Sequence, residues 1–288
     1  MPPMLLTALR LYFRTLKRVA PKTAGRHAYR LFSTPRIRRP VPSSVEGVMG
    51  RAERSMVTVD GEQVATYRWP AKAPEAPRVM LVHGWESRAA RMAVWVDPLL
   101  DAGFEVLAFD APAHGESTGQ RTNPVVFATI IRAIADAAGP LYACVGHSLG
   151  GLSSILAITG CGPMQHPEVQ MDRLVVVGGA ESGVDAMGMF CEALGLGDDF
   201  LPLLLAGAAE GSGRAVKDLD GHRIFADHPV PTLWIHDVDD AEVSFEAAER
   251  VARTCPHVRL ERVEGLGHHT IVRDPSVIQR GVDFLALE

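Results

Sequence analysis

The sequence predicts an α/β fold with a mostly parallel sheet covered by helices on both faces, and three observations carry that prediction. From about residue 78 onward, short apolar runs alternate with longer segments of helical period. This is the signature of strand–helix–strand units whose sheet is buried on both sides. The runs end in turns rich in Gly, Asp and His, where such sheets carry their functional groups. With 288 residues and 47% hydrophobic content, the chain can bury a full core of this kind without disulfide staples.

The elements follow in order. Residues 4–20 place Leu5, Leu9, Tyr12, Phe13, Leu16 and Val19 at helical spacing, with Arg10, Arg14, Lys17 and Arg18 largely opposite. A second helical segment over 25–32 stops before Pro35 and the basic run Arg36-Ile37-Arg38-Arg39. Residues 55–60 and 63–69 meet through Asp60-Gly61, a dipeptide that favours the tight hairpin turns. Strands are then expected over 78–82, 105–110, 141–145, 173–178, 232–236 and 258–263. Helices are expected over 89–102, 124–138, 149–158, 245–254 and 276–287. The alternation breaks between 181 and 229, where Met187, Met189, Phe190, Leu194, Phe200 and Leu203-Leu204-Leu205 gather. An apolar insertion of that kind suits either a cap lining a pocket or plain core packing. The stretch 207–213 holds three Gly and Ala-Ala-Glu and is expected to act as a hinge, with Gly207 and Gly213 at its ends. The expected organisation is a helical arm over 1–50, a first core segment over 51–181, the cap insertion over 182–230, and a second core segment over 231–288.

Charge is unevenly distributed. Residues 1–45 hold ten Arg or Lys and no acid, leaving 19 basic and 34 acidic side chains beyond, a net of −15 against −5 for the whole chain. A basic arm on an acidic body invites three readings. It packs on that body, it makes peripheral contact with an anionic membrane surface through residues 1–45, or it serves as an Arg-rich transit segment. Arginines interrupt every apolar stretch before it reaches the length of a membrane span or the core of a signal peptide. The four cysteines are scattered without metal-like or CxxC spacing, as expected of free thiols in a reducing, cytoplasmic setting. The sequence does not determine an oligomeric state.

The most specific motif is Val145-Gly146-His147-Ser148-Leu149-Gly150-Gly151, which follows an apolar run and opens a helical segment. Strand, tight turn with serine, helix is the setting that lifts a hydroxyl clear of the backbone. Such a hydroxyl becomes a nucleophile when a base and oxyanion donors stand beside it. Four further segments end strands in order. They are His83-Gly84-Trp85, Asp110-Ala111-Pro112-Ala113-His114-Gly115-Glu116-Ser117, His236-Asp237-Val238-Asp239-Asp240-Ala241-Glu242-Val243, and Gly265-Leu266-Gly267-His268.

Taken together, these five segments resemble those of the α/β-hydrolase family, over roughly residues 55 to 288. The resemblance implies the α/β-hydrolase fold, with Ser148 as nucleophile, His268 as base and an acid from the 236–243 loop. His269 is the competing base, and Gly267-His268 is the pair that matches the family pattern. Aligning His236 and Val243 puts Asp240 at the acid position, with Asp239 the alternative; Asp237 stands where the family carries glycine. The backbone N–H groups of Trp85 and Leu149 are implied as the oxyanion hole. His83 and the 110–117 loop are read as framework, with Asp110 a turn acceptor.

The expected activity is a serine hydrolase cleaving carboxylic esters or thioesters of small-molecule substrates with an apolar acyl group. Two alternatives are a lipase or lysophospholipase at a membrane surface, and a ligand-binding protein that keeps the fold without catalysis. No cofactor or metal is expected: there is no HExxH spacing, no Walker loop, and no GxGxxG after a strand. The basic arm alone does not make a nucleic-acid module, so no nucleic-acid partner is expected.

Overall fold

The computed structural model describes residues 3–161, 166–212 and 221–287. These divide into two compact units, one formed by residues up to Thr34 together with Ser182–Asp220, the other by Pro35–Glu181 together with Gly221–Glu288.

The larger unit is built on eight strands: β1 (Glu53–Val59), β2 (Glu62–Trp69), β3 (Arg78–Val82), β4 (Glu105–Phe109), β5 (Ala143–His147), β6 (Arg173–Val177), β7 (Thr232–Asp237) and β8 (Val258–Val263). They lie in the order β1-β2-β4-β3-β5-β6-β7-β8. β1 and β2 pair antiparallel, as do β2 and β4, and every later pair is parallel. The hairpin turns where Asp60 and Gly61 both take positive φ, 49° and 83°, the geometry that matches strand twist. β4, β5 and β7 are buried along their whole length and β3 and β6 at all but the first residue, which is why they read as unbroken apolar runs. Trp69, Trp95, Leu81, Val145, Val175 and Leu233 share one core.

Two elements differ from expectation. β5 begins at Ala143 and reaches His147, because its register against β6 runs from Ala143↔Arg173 to His147↔Val177. The expected helix over 89–102 is broken into Ala89–Met92, a tight turn at Ala93–Trp95, and Val96–Asp101. Pro98 has no N–H for the carbonyl of Val94, so the ladder cannot run through. The basic run is tied down: Arg38 donates to the carbonyls of Gly115 at 2.9 Å and Ser117 at 2.8 Å, and Arg39 to that of Glu86 at 2.9 Å.

In the smaller unit, α1 (Pro3–Val19) and α2 (Pro21–Phe32) pack with the insertion helices Gly183–Leu194 and Leu201–Ser212. Phe13, Ala24, Ala28 and Tyr29 from the arm form one core with Met187, Leu194, Phe200 and Leu204 from the insertion. Those insertion residues are interior to this unit, so packing accounts for their apolar character. α2 crosses the helix Leu201–Ser212 at a glycine pair. A Cβ on Gly25 would stand 2.1 Å from the carbonyl oxygen of Leu203, and one on Gly207 would stand 2.3 Å from the Gly25 carbonyl. Gly207 is thus a helical packing position rather than the start of a hinge; Gly213 lies outside the described residues.

Candidate active site

β5 enters from the sheet interior and must turn sharply into the helix Leu149–Ile158. Ser148 sits at that corner with φ 53° and ψ −120°, a conformation costly for a non-glycine residue and held only where its surroundings enforce it. The flanking glycines explain how the corner closes. A Cβ on Gly146 would lie 2.6 Å from the Gly151 nitrogen, and one on Gly150 would lie 2.2 Å from the carbonyl oxygen of Val82. Helix and strand therefore meet at backbone distance. The corner also lies where β3 borders both β4 and β5, the point at which the strand order reverses. In open α/β sheets, crevices form beyond the strand ends at such points.

The structure brings Ser148, His268 and Asp240 together. Ser148 Oγ lies 2.9 Å from His268 Nε2, and His268 Nδ1 lies 2.7 Å from Asp240 Oδ2. A single tautomer satisfies both bonds, with Nδ1–H donating to the carboxylate and Nε2 free to accept from the hydroxyl. Asp240 Oδ1 accepts the backbone N–H groups of Glu242 at 2.8 Å and Val243 at 2.9 Å. Burial works to raise the Asp240 pKa, but the bonds from His268 and those two amides outweigh it and hold the carboxyl below its usual range. Asp239 is exposed, and its amide donates to Asp237. His269 is also exposed and pairs with Glu242 at 2.9 Å.

His83-Gly84-Trp85 follows β3 and lies against the serine. A Cβ on Gly84 would be 3.0 Å from that of Ser148. Two buried histidines hold this turn. His83 Nε2 accepts the Ala111 N–H at 3.0 Å, and its Nδ1 donates to the Gly84 carbonyl at 2.7 Å. His114 Nε2 accepts the Glu86 N–H at 2.9 Å, and its ring packs edge-on against Trp85. Burial pushes the first down to about 4 and the second to about 3, so both are neutral near pH 7 and each has one nitrogen able to accept. Asp110 anchors the neighbouring loop, accepting from Tyr67, Ala89, Arg88 and Glu116. Leu149 is the first helical residue after the corner, where N–H groups have no carbonyl partner within the helix.

Two contributors went unassigned at the sequence level. His147, the variable residue of the serine motif, is buried and donates through Nε2 to the carbonyl of His268 at 2.9 Å. Burial pushes its pKa down to about 3, with the charge of His268 adding to the effect. Asp237 Oδ2 accepts the N–H groups of Leu266 at 2.5 Å and Gly267 at 2.9 Å, while Oδ1 accepts from Asp239 at 2.8 Å. A glycine at this position could not supply that clamp on the residues just before His268. The only sequence signal was the aspartate itself, standing where glycine is usual. Among the described residues, no cluster of His, Cys, Asp or Glu is arranged to hold a metal ion.

The arrangement can lower the cost of removing a proton from Ser148 and can orient and stabilise an imidazolium at His268. Comparisons agree with the architecture. A search of curated proteins gave no match. Among solved structures, an esterase from Pyrococcus furiosus is similar at 17% identity and a TM-score of 0.63, covering 88% of this chain and 97% of that one. A membrane phospholipase A described as a bacterial virulence factor is 16% identical with a TM-score of 0.61, covering 99% and 98%. The thioesterase domain from the curacin biosynthetic pathway is 17% identical with a TM-score of 0.57, covering 82% and 99%. At these identities the likeness speaks to the fold. The profile of the alpha/beta hydrolase family matches residues 79–278, more than half of the chain, and the protein belongs to that family of hydrolases.

Proposed function

We propose that the protein is a serine hydrolase of carboxylic esters or thioesters, working through an acyl-enzyme on Ser148. The observation that carries this reading is the continuous chain of contacts from Ser148 Oγ to His268 Nε2, 2.9 Å, and from His268 Nδ1 to Asp240 Oδ2, 2.7 Å. Ser148 attacks the carbonyl carbon as His268 takes its proton, leaving a tetrahedral intermediate whose oxygen bears the negative charge. The N–H groups of Leu149 and Trp85 receive that oxygen. His268 then gives the proton to the departing alcohol or thiol, so the carbon–oxygen or carbon–sulfur bond breaks and an acyl-serine remains. Water, activated by the same imidazole, releases the acid and restores the hydroxyl. Asp240 keeps the ring in the productive tautomer and stabilises its protonated form.

The chain order serine, acid, histidine is the order expected of this fold. The esterase, phospholipase A and thioesterase domain named above fit the same bond class. A fluorophosphonate probe tests the reading directly. Wild-type protein is expected to label at one site, and Ser148→Ala, checked for folding, is expected to lose the label. Turnover of p-nitrophenyl esters and acyl-thioesters of graded chain length then ranks the substrates. A folded wild-type sample that neither labels nor turns over any of them is a binding protein, and the catalytic reading fails.

A further inference from the structure

α1 is apolar on two sides. Leu6, Leu9, Phe13 and Leu16 face the interior of its unit. Met4, Leu5, Leu11, Tyr12 and Val19 are exposed, Met4 at 86%, Val19 at 74% and Leu11 at 68%. At 3.6 residues per turn, these five fall with Ala8 and Thr15 in one outward arc of about 120° that contains no charge. The arc gathers most of the large apolar side chains that the described residues expose. Tyr12 stacks on and hydrogen-bonds with His27 of α2, but no packing within the unit accounts for the exposure of the other four.

Arg18 and Arg14 border the arc on one side, and Lys22 and Arg30 follow on α2. All four are exposed, and among the described residues none of them has an acidic partner. No acid occurs before Glu46. From this juxtaposition we infer that α1 is an interfacial helix that docks the protein on an anionic phospholipid bilayer. Its outward apolar arc enters the headgroup–acyl boundary, and Arg14 and Arg18 reach lipid phosphates. No described helix is long and apolar enough to cross a membrane, so the contact lies in the plane of the surface. Self-association through an antiparallel two-fold pairing of this helix face is opposed, because it would set Arg14 and Arg18 of each copy beside their equivalents.

Flotation of the full chain with vesicles tests the inference. Wild-type protein is expected to float with phosphatidylcholine vesicles carrying about 30% phosphatidylglycerol, and weakly with phosphatidylcholine alone. Raising the salt to about 0.5 M is expected to release it several-fold. Leu11→Glu with Val19→Glu is expected to lower binding at least about tenfold, and Arg14→Glu with Arg18→Glu similarly. Circular dichroism checks that each variant is folded, and Leu11→Ser with Val19→Ser replaces the first pair if it is not. The inference is overturned if wild type stays at the bottom of the gradient with anionic vesicles, or if the folded Leu11/Val19 variant floats as well. It is equally overturned if lipid-free wild type sediments as a dimer that the same variant dissociates, because a second copy then covers the face.

Discussion

Asp237 shows how one carboxylate can position a histidine it never touches. Three backbone amides converge on it, two from the residues immediately before His268. Asp237→Ala leaves those part-buried amides without their acceptor, and the loop is free to relax as they turn to water. The expected outcome is a fall in kcat of about tenfold to a hundredfold with little change in KM, since in the proposed mechanism the displaced group is the base and not a substrate contact. Asp237→Asn keeps an accepting oxygen and should recover most of the loss, whereas unchanged kcat in a folded Asp237→Ala would show that the clamp does not matter. Among the other acids, Asp240→Asn is expected to lower kcat by about a thousandfold or more. Asp239→Ala is expected to remain within about twofold of wild type, because its side chain is exposed. Ser148, His268 and the acid loop were legible in sequence because motif order and spacing encode them. His147 and Asp237 were not, since their roles consist of bonds to backbone atoms far along the chain, which no local pattern records.

Most strands and helices of the larger unit were legible to within about two residues, because burial on both faces leaves an unbroken apolar run between turn residues. What escaped was the partner of each amphipathic helix. Periodicity states that α1 and α2 have an apolar face, and the −15 balance of residues 46–288 made that body the natural place for a basic arm. Within that body, it is with Phe200 and Leu204 of the insertion that Phe13, Ala24 and Ala28 share a core. Shape decided it, through the crossing of Gly25 and Gly207. Gly207→Ala puts a methyl group into the backbone of α2, and is expected to destabilise the fold by about 1–3 kcal/mol despite the better helix propensity of alanine. Gly188, in the helix Gly183–Leu194, is the control: nothing lies within 4 Å of a Cβ there, so Gly188→Ala should stabilise by about 0.5–1 kcal/mol. Urea unfolding of the two variants checks the sign of each. Equal effects would mean that the close crossing imposes no steric demand.

Burial in the larger unit keeps four of its histidines uncharged near neutral pH. His83, His114 and His147 hold pKa values of about 4, 3 and 3 through burial, against 6.5 for the free side chain, and burial also lowers that of His236. His83 and His114 use a neutral nitrogen to accept from backbone amides that fix the loop beside Ser148, and His236 uses one to accept from Trp234. Above about pH 7.5 these rings are neutral in both folded and unfolded chains, and they impose no pH dependence. Between about pH 7.5 and 4 the unfolded chain binds protons that the folded one refuses, so stability falls as pH falls. Each ring contributes about 1.4 kcal/mol per pH unit, and the first three together about 6 kcal/mol of loss by pH 5. That is comparable with the whole stability of an ordinary domain, so unfolding is expected near pH 5, above the range where carboxylates such as Asp240 titrate. Urea titrations at about pH 7.5, 6.5 and 5.5 should show the slope steepening toward three protons, and His147→Asn should remove about one of them. A free energy of unfolding that stays flat from about pH 7 to 5 would mean that these rings accept protons in place, and that the loop beside Ser148 does not depend on their neutral form.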